Sequence, residues 1–86
     1  VMGLTKSLAR ELAPFGVRVN AVNPGLIHTE LTADIPEEKR KELLSPTVLK
    51  REGEPEEVGS VVAFLCSDMA SYIAGHVIHV DGGLVP

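Results

Sequence analysis

The segment Val17-Arg18-Val19-Asn20-Ala21-Val22 restricts the fold more than any other. It alternates with period two, its valines at 17, 19 and 22 are β-branched, and Pro24-Gly25 ends it, so it reads as a β-strand. Just before it, Val1, Leu4, Leu8 and Leu12 recur at spacings of three and four, with Phe15 beyond. That spacing marks one apolar stripe of a helix, which Pro14 and Gly16 bring to an end. A helix, a tight turn and a strand in this order form half of an α/β unit. A strand covered on both faces fits a parallel sheet.

Further along, Pro36-Glu37-Glu38-Lys39-Arg40-Lys41-Glu42-Leu43-Leu44 reads as a short helix with acids leading and bases following. Glu37 and Lys41 are spaced as an i,i+4 pair. The charge run is expected to be a solvated face, with Ile35, Leu43 and Leu44 covering something apolar, as in a small lid. Pro55-Glu56-Glu57-Val58 opens a longer helix, expected to reach Ser67. Its stripe of Val58, Val61, Val62 and Leu65 is widened by Ala63, Phe64 and Cys66. A helix so apolar is expected to be buried on two sides, the second being a subunit contact, with Cys66 buried and inert. Tyr72-Ile73-Ala74-Gly75 then turns into a second strand, His76–Val80, stopped by Asp81-Gly82-Gly83.

Length and composition narrow the functions. Eighty-six residues suffice for one small domain, able to bury only about 60–65% of its unfolded surface. With two Phe, one Tyr and no Trp, the core must be aliphatic. A net charge of −4, with no basic stripe, argues against nucleic acid as a partner and against attraction to anionic membranes. No apolar run approaches the ~20 residues of a membrane span. The single cysteine, Cys66, excludes an internal disulfide framework and fits a reducing, cytoplasmic setting. The N-terminus has no signal-peptide layout and does not begin with Met, so the chain is expected to be part of something longer.

Three segments carry a resemblance: Val19-Asn20-Ala21-Val22-Asn23-Pro24-Gly25-Leu26-Ile27-His28-Thr29; Gly53-Glu54-Pro55-Glu56-Glu57-Val58 with Ala63-Phe64-Leu65; and Tyr72-Ile73-Ala74-Gly75 leading into Val80-Asp81-Gly82-Gly83. In this order and spacing they resemble the C-terminal part of the short-chain dehydrogenases/reductases. The second half is most similar to the 3-oxoacyl-(acyl-carrier-protein) reductases of that family. The resemblance implies an α/β fold, the C-terminal part of a Rossmann-type doubly wound parallel sheet. About two strands and two to three helices would form a single partial domain over residues 1–86. It implies NADP or NAD as cofactor, NADP being the first choice. It also implies a small carbonyl or alcohol substrate, foremost an acyl thioester, and assembly into a homo-oligomer, the family's tetramer. Sugars, steroids and small alcohols stay open as substrates. The family's Tyr-x-x-x-Lys pair, its catalytic Ser and Asn and its Gly-rich dinucleotide turn are not in this sequence. No catalytic residue is therefore assigned, and the chain alone is expected to be inactive.

Dinucleotides bind outside the carboxyl ends of parallel strands, where Pro24–Thr29 would lie. Pro24 would stiffen the strand exit and Gly25 would let backbone approach a flat ring. Backbone near Ile27 would bond a carboxamide, and the Thr29 hydroxyl a phosphate or amide oxygen. The resemblance accordingly implies Pro24, Gly25, Ile27 and Thr29 as cofactor-binding residues. The plainer reading is an ordinary strand-to-loop turn with Thr29 as a helix cap. No metal site is expected, because His76 and His79 are three apart on a strand and face opposite ways. His28 reads as a loop residue facing substrate or solvent. Asp81-Gly82-Gly83 reads as a turn in which glycines take positive φ and Asp81 bonds nearby backbone. Asn20 is expected to hold a neighbouring loop through its amide. Three functions compete: part of an oxidoreductase, a non-catalytic self-associating module, and a stand-alone ligand-binding protein.

Overall fold

A computed structural model describes residues 1–84; Val85 and Pro86, the last two residues of the expected partial domain, lie outside the described residues. Helix α1 runs Met2–Leu12 and passes into a 3-10 turn, Ala13–Phe15, closed at Gly16 (φ 74°). Strand β1 follows at Ala21–Pro24, then α2 at Glu37–Leu44, α3 at Pro55–Leu65 and β2 at Val77–Val80. The two strands pair in parallel, Ala21 opposite Val77 and Pro24 opposite Val80. Parallel neighbours need a crossover, and α3 supplies it, packing against both strands. This is a partial Rossmann-type α/β unit with a two-stranded parallel sheet among the described residues.

The first strand begins four residues later than its alternation predicts. Val19 still accepts a hydrogen bond from Gly75 N–H at 2.7 Å, but Gly75 sits at φ 72° and turns the partner chain away. Regular pairing starts only where Ala21 N–H donates to the His76 carbonyl. At the other end Pro24 stays in the strand. The bonds to β2 come from Ala21 and Gly25, so the missing N–H of Pro24 points to the unpaired edge, where it costs no ladder bond. Asn20 acts as expected: its amide donates to Ile73 C=O at 3.0 Å and its carbonyl accepts His76 N–H at 3.0 Å. Arg18 adds bonds to the carbonyls of Ile73 and Ser67, both 3.2 Å.

Among the described residues the buried apolar side chains are small or few: Ala9, Leu65 and Ala70. The accessible surface is 6313 Å², against about 4,900 Å² for a compact chain of this mass. The radius of gyration is 15.4 Å, against about 12 Å for a closed domain of this length. The aliphatic stripes exist but are half covered. On α3, Leu65 is buried while Val62 and Phe64 are 44% and 41% exposed. The expectation of a helix buried on two sides is thus met on one side only.

Cys66 is exposed, which corrects its placement in the core. Val62 of α3 and Cys66 at its end face an open cleft of about 660 Å³ whose other wall is Gly16, Arg18 to Asn20 and Val22. Nothing among the described residues fills it. Periodicity places a side chain on a face and is silent about what covers that face.

Candidate functional site

The chain leaving β1 is held from two directions. Gly25 N–H donates to Val80 C=O at 3.0 Å, continuing the strand pairing. Beyond it, Gly53 N–H donates to Leu26 C=O at 3.0 Å and His28 N–H to Gly53 C=O at 2.8 Å, making Ile27 and Gly53 a parallel bridge. These bonds run from Leu26 and His28, so the intervening Ile27 N–H points the other way and has no acceptor among the described residues. A turn follows, not a helix, so Thr29 caps none. Instead the Thr32 hydroxyl accepts Thr29 N–H at 2.9 Å and donates to Ile27 C=O at 2.9 Å. The Thr29 hydroxyl has no partner among the described residues.

Gly25 is also required by packing. A Cβ at this position would lie 2.8 Å from both Cα and Cβ of Asp81. The missing side chain lets two strand ends meet.

The end of β2 forms the opposite wall. Asp81 Oδ1 accepts the N–H groups of Gly83 and Leu84 at 3.0 and 3.2 Å. Gly82 and Gly83 take φ of 67° and 78°, values that L-residues adopt only with strain, so the turn forms as its composition predicts. Their carbonyls accept Val48 and Leu49 N–H at 3.0–3.1 Å, locking the segment after α2 over the strand ends. Thr47 is buried there, its hydroxyl bonded to Leu44 C=O. The result is a cavity of about 710 Å³ whose lining includes Gly25, Ile27, Leu43, Leu44, Val48 and Leu49. Gly25 and Ile27 therefore line it, whereas Pro24 and Thr29 lie outside. Leu43 and Leu44 line it, as their apolar character suggests.

The charged helix is not wholly solvated. Arg40 and Glu52 pair with side chains only 14% and 16% exposed, and Arg40 Nη2 donates to the carbonyls of Thr32 (2.9 Å) and Ile35 (3.1 Å). Glu37 lies 3.9 Å from Arg40, not in the pairing with Lys41 that its spacing suggests. His28 Nδ1 stands 3.7 Å from Glu52, its ring exposed. Arg40, Glu52, Thr32 and Gly53 are the site residues that sequence reasoning overlooked. The Thr-x-x-Thr spacing of 29 and 32 was the one local signal for any of them.

A second ion pair steadies α3. Arg51 meets both Glu57 oxygens at 2.8 and 3.0 Å, and Glu57 Oε1 also accepts Glu54 N–H at 2.9 Å. The Arg51 bonds first, then the Glu54 N–H, hold the Glu57 carboxyl down at about 2, against an ordinary 4.5. A depressed carboxyl stabilises the folded state fully above its unfolded pKa and loses that contribution as pH falls through the folded one. The start of α3 is therefore expected to hold above pH 4.5 and to loosen between there and about 2. Carbon NMR titration of the Glu57 carboxyl checks this; a midpoint near 4.5 would contradict it. Glu57→Gln should remove the acid step. Among the described residues no group of three or more His, Cys, Asp or Glu side chains is arranged to hold a metal ion. No helix among them is long and apolar enough to cross a membrane.

Comparison with known proteins matches residues 1–85 to the family described as enoyl-(acyl carrier protein) reductase. The chain is 56% identical over 84 residues to a 3-oxoacyl-(acyl-carrier-protein) reductase of Aquifex aeolicus, covering 98% of this chain and 34% of that protein. It is 53% identical to the Thermotoga maritima protein of the same name (99% and 35%). It is also 51% identical to a 3alpha-hydroxysteroid dehydrogenase of Mediterraneibacter gnavus (95% and 33%). The chain spans about a third of the length of the curated relatives it matches.

Proposed function

Because this chain belongs to the short-chain dehydrogenase/reductase family, we propose that it supplies the nicotinamide-facing exit loop and the substrate lid of an NADPH-dependent 3-oxoacyl thioester reductase. The observation that carries this reading is the state of Ile27. Among the described residues its N–H is unpaired, and its carbonyl uses one lone pair on Thr32 and keeps the other. A carboxamide needs one acceptor and one donor side by side, and the Ile27 peptide groups offer that pairing. The Thr29 hydroxyl, two residues on, has no partner of its own among the described residues. The residues present fit the group. When bound, the cofactor would supply hydride. This chain's part is to orient the carboxamide and, through Leu43, Leu44 and Leu49, to keep water from the apolar cavity.

Substrate choice belongs to the lid. Relatives named for an acyl thioester and for a steroid are both about half identical to this chain, so overall identity does not separate them. A wall of Leu43, Leu44, Val48 and Leu49 favours a flexible aliphatic group. NADPH titrated into nitrogen-labelled chain should shift the Ile27 and Thr29 amides at millimolar concentrations, and NADH less. Unchanged Ile27 and Thr29 resonances would sink the cofactor reading.

The half-covered α3 favours a second property. The surface in excess of a compact chain is roughly 1,400 Å², more than the about 800 Å² that each partner buries in a standard protein interface. Val62 and Phe64 lie on it. Size-exclusion chromatography of the chain should show a dimer or larger species; elution as a monomer at every concentration would contradict self-association.

A further inference from the structure

Arg40 touches no residue assigned to the cofactor, yet its bonds lead to two of them. Its Nη2 holds the carbonyls of Thr32 and Ile35, within and at the end of the turn that follows β1. Its Nη1 is pinned by Glu52, next to the Gly53 that pairs with Ile27. Thr32 in turn presents its hydroxyl to Thr29 N–H and Ile27 C=O. The path is thus α2, Arg40, Thr32, and then the backbone groups of Ile27 and Thr29. A guanidinium suits this post because its planar fork can hold two carbonyls and a carboxylate together, which a lysine ammonium does less well. The site is nearly closed to water at 14% and 16% exposure, so removing one partner leaves the other's charge poorly solvated.

We infer that Arg40 is a positioning residue, which with Thr32 couples the seating of the lid helix α2 to the shape of the nicotinamide-facing loop. The part of this inference that concerns the cofactor rests on the function proposed above; the coupling does not. Lid and loop then order together, and a substrate that seats α2 also sets the direction of the Ile27 carbonyl.

Amide hydrogen exchange on the full nitrogen-labelled chain tests the coupling. In Arg40→Met the Thr29 amide should exchange about tenfold faster, the expected effect of freeing one hydrogen bond, while Gly25, bonded to Val80, should not change. Thr32→Val should do the same and Thr32→Ser should restore protection. If Arg40→Met unfolds the chain, seen as lost protection at Gly25, Arg40→Lys keeps the charge beside Glu52 and decides the matter by the same Thr29 readout. A role confined to supporting α2 would speed exchange within α2 and leave Thr29 alone. Unchanged Thr29 exchange in the folded Arg40 variant overturns the inference. Absence of NADPH-induced shifts at Ile27 and Thr29 in the unmodified chain would instead count against the cofactor reading and leave the exchange result standing.

Discussion

Gly25→Ala is expected to force β1 and β2 apart at their carboxyl ends and to cost about 1–3 kcal/mol, the usual penalty for overfilling a packed site. The added methyl would meet Asp81 Cα and Cβ at 2.8 Å, and a backbone atom cannot swing aside as a side-chain tip can. The conformation of Gly25 is not itself unusual, since its φ lies outside the left-handed region, so the effect is purely one of space. The strain falls on the Gly25–Val80 bond, beside the Asp81 turn. Denaturant unfolding should show the loss, and Gly25 amide protection should fall with it. Gly59 supplies the control. It lies inside α3 with nothing within 4 Å of an added Cβ, so Gly59→Ala should stabilise by about 0.5–1 kcal/mol. Equal effects at both glycines would refute the packing account.

The chain by itself is expected to reduce a 3-oxoacyl thioester at least about 10⁵-fold more slowly than a complete relative, given what proton transfer and approximation contribute. Its one tyrosine, Tyr72, is fully exposed, and the fourth residue after it is His76, not lysine. The Tyr-x-x-x-Lys spacing that would deliver a proton beside the carbonyl does not occur in this sequence. Loss of NADPH absorbance with acetoacetyl thioester, measured against the Aquifex aeolicus relative, checks this. Turnover above background that follows the purified chain would contradict it.

What could be read in the amino-acid order was whatever depends on near neighbours. The stripes of α1 and α3, the stop at Gly16 and the Asp81 turn all follow from spacings of a few residues, and the structure places them there. Strand limits did not follow, because β1 begins where its partner straightens after Gly75. Arg40 was illegible for a related reason: a basic residue in a charged helix has the same local context whether it faces water or Glu52, twelve positions on. Gly25 was recognisable as a required glycine, but the neighbour that requires it is Asp81, fifty-six residues away. The proposed cofactor residues owe most to family resemblance. Geometry adds that, among the described residues, Ile27 presents a free N–H and a half-used carbonyl, and that Pro24 stands outside the cavity.

The most direct measurement joins the first two thirds of the Aquifex aeolicus relative to this chain in place of its matching third and follows NADPH oxidation with an acetoacetyl thioester. Turnover that depends on both NADPH and thioester is expected if this chain supplies the exit loop and lid as proposed. A hybrid that unfolds cooperatively, and so is folded, yet oxidises no NADPH with that substrate would contradict it.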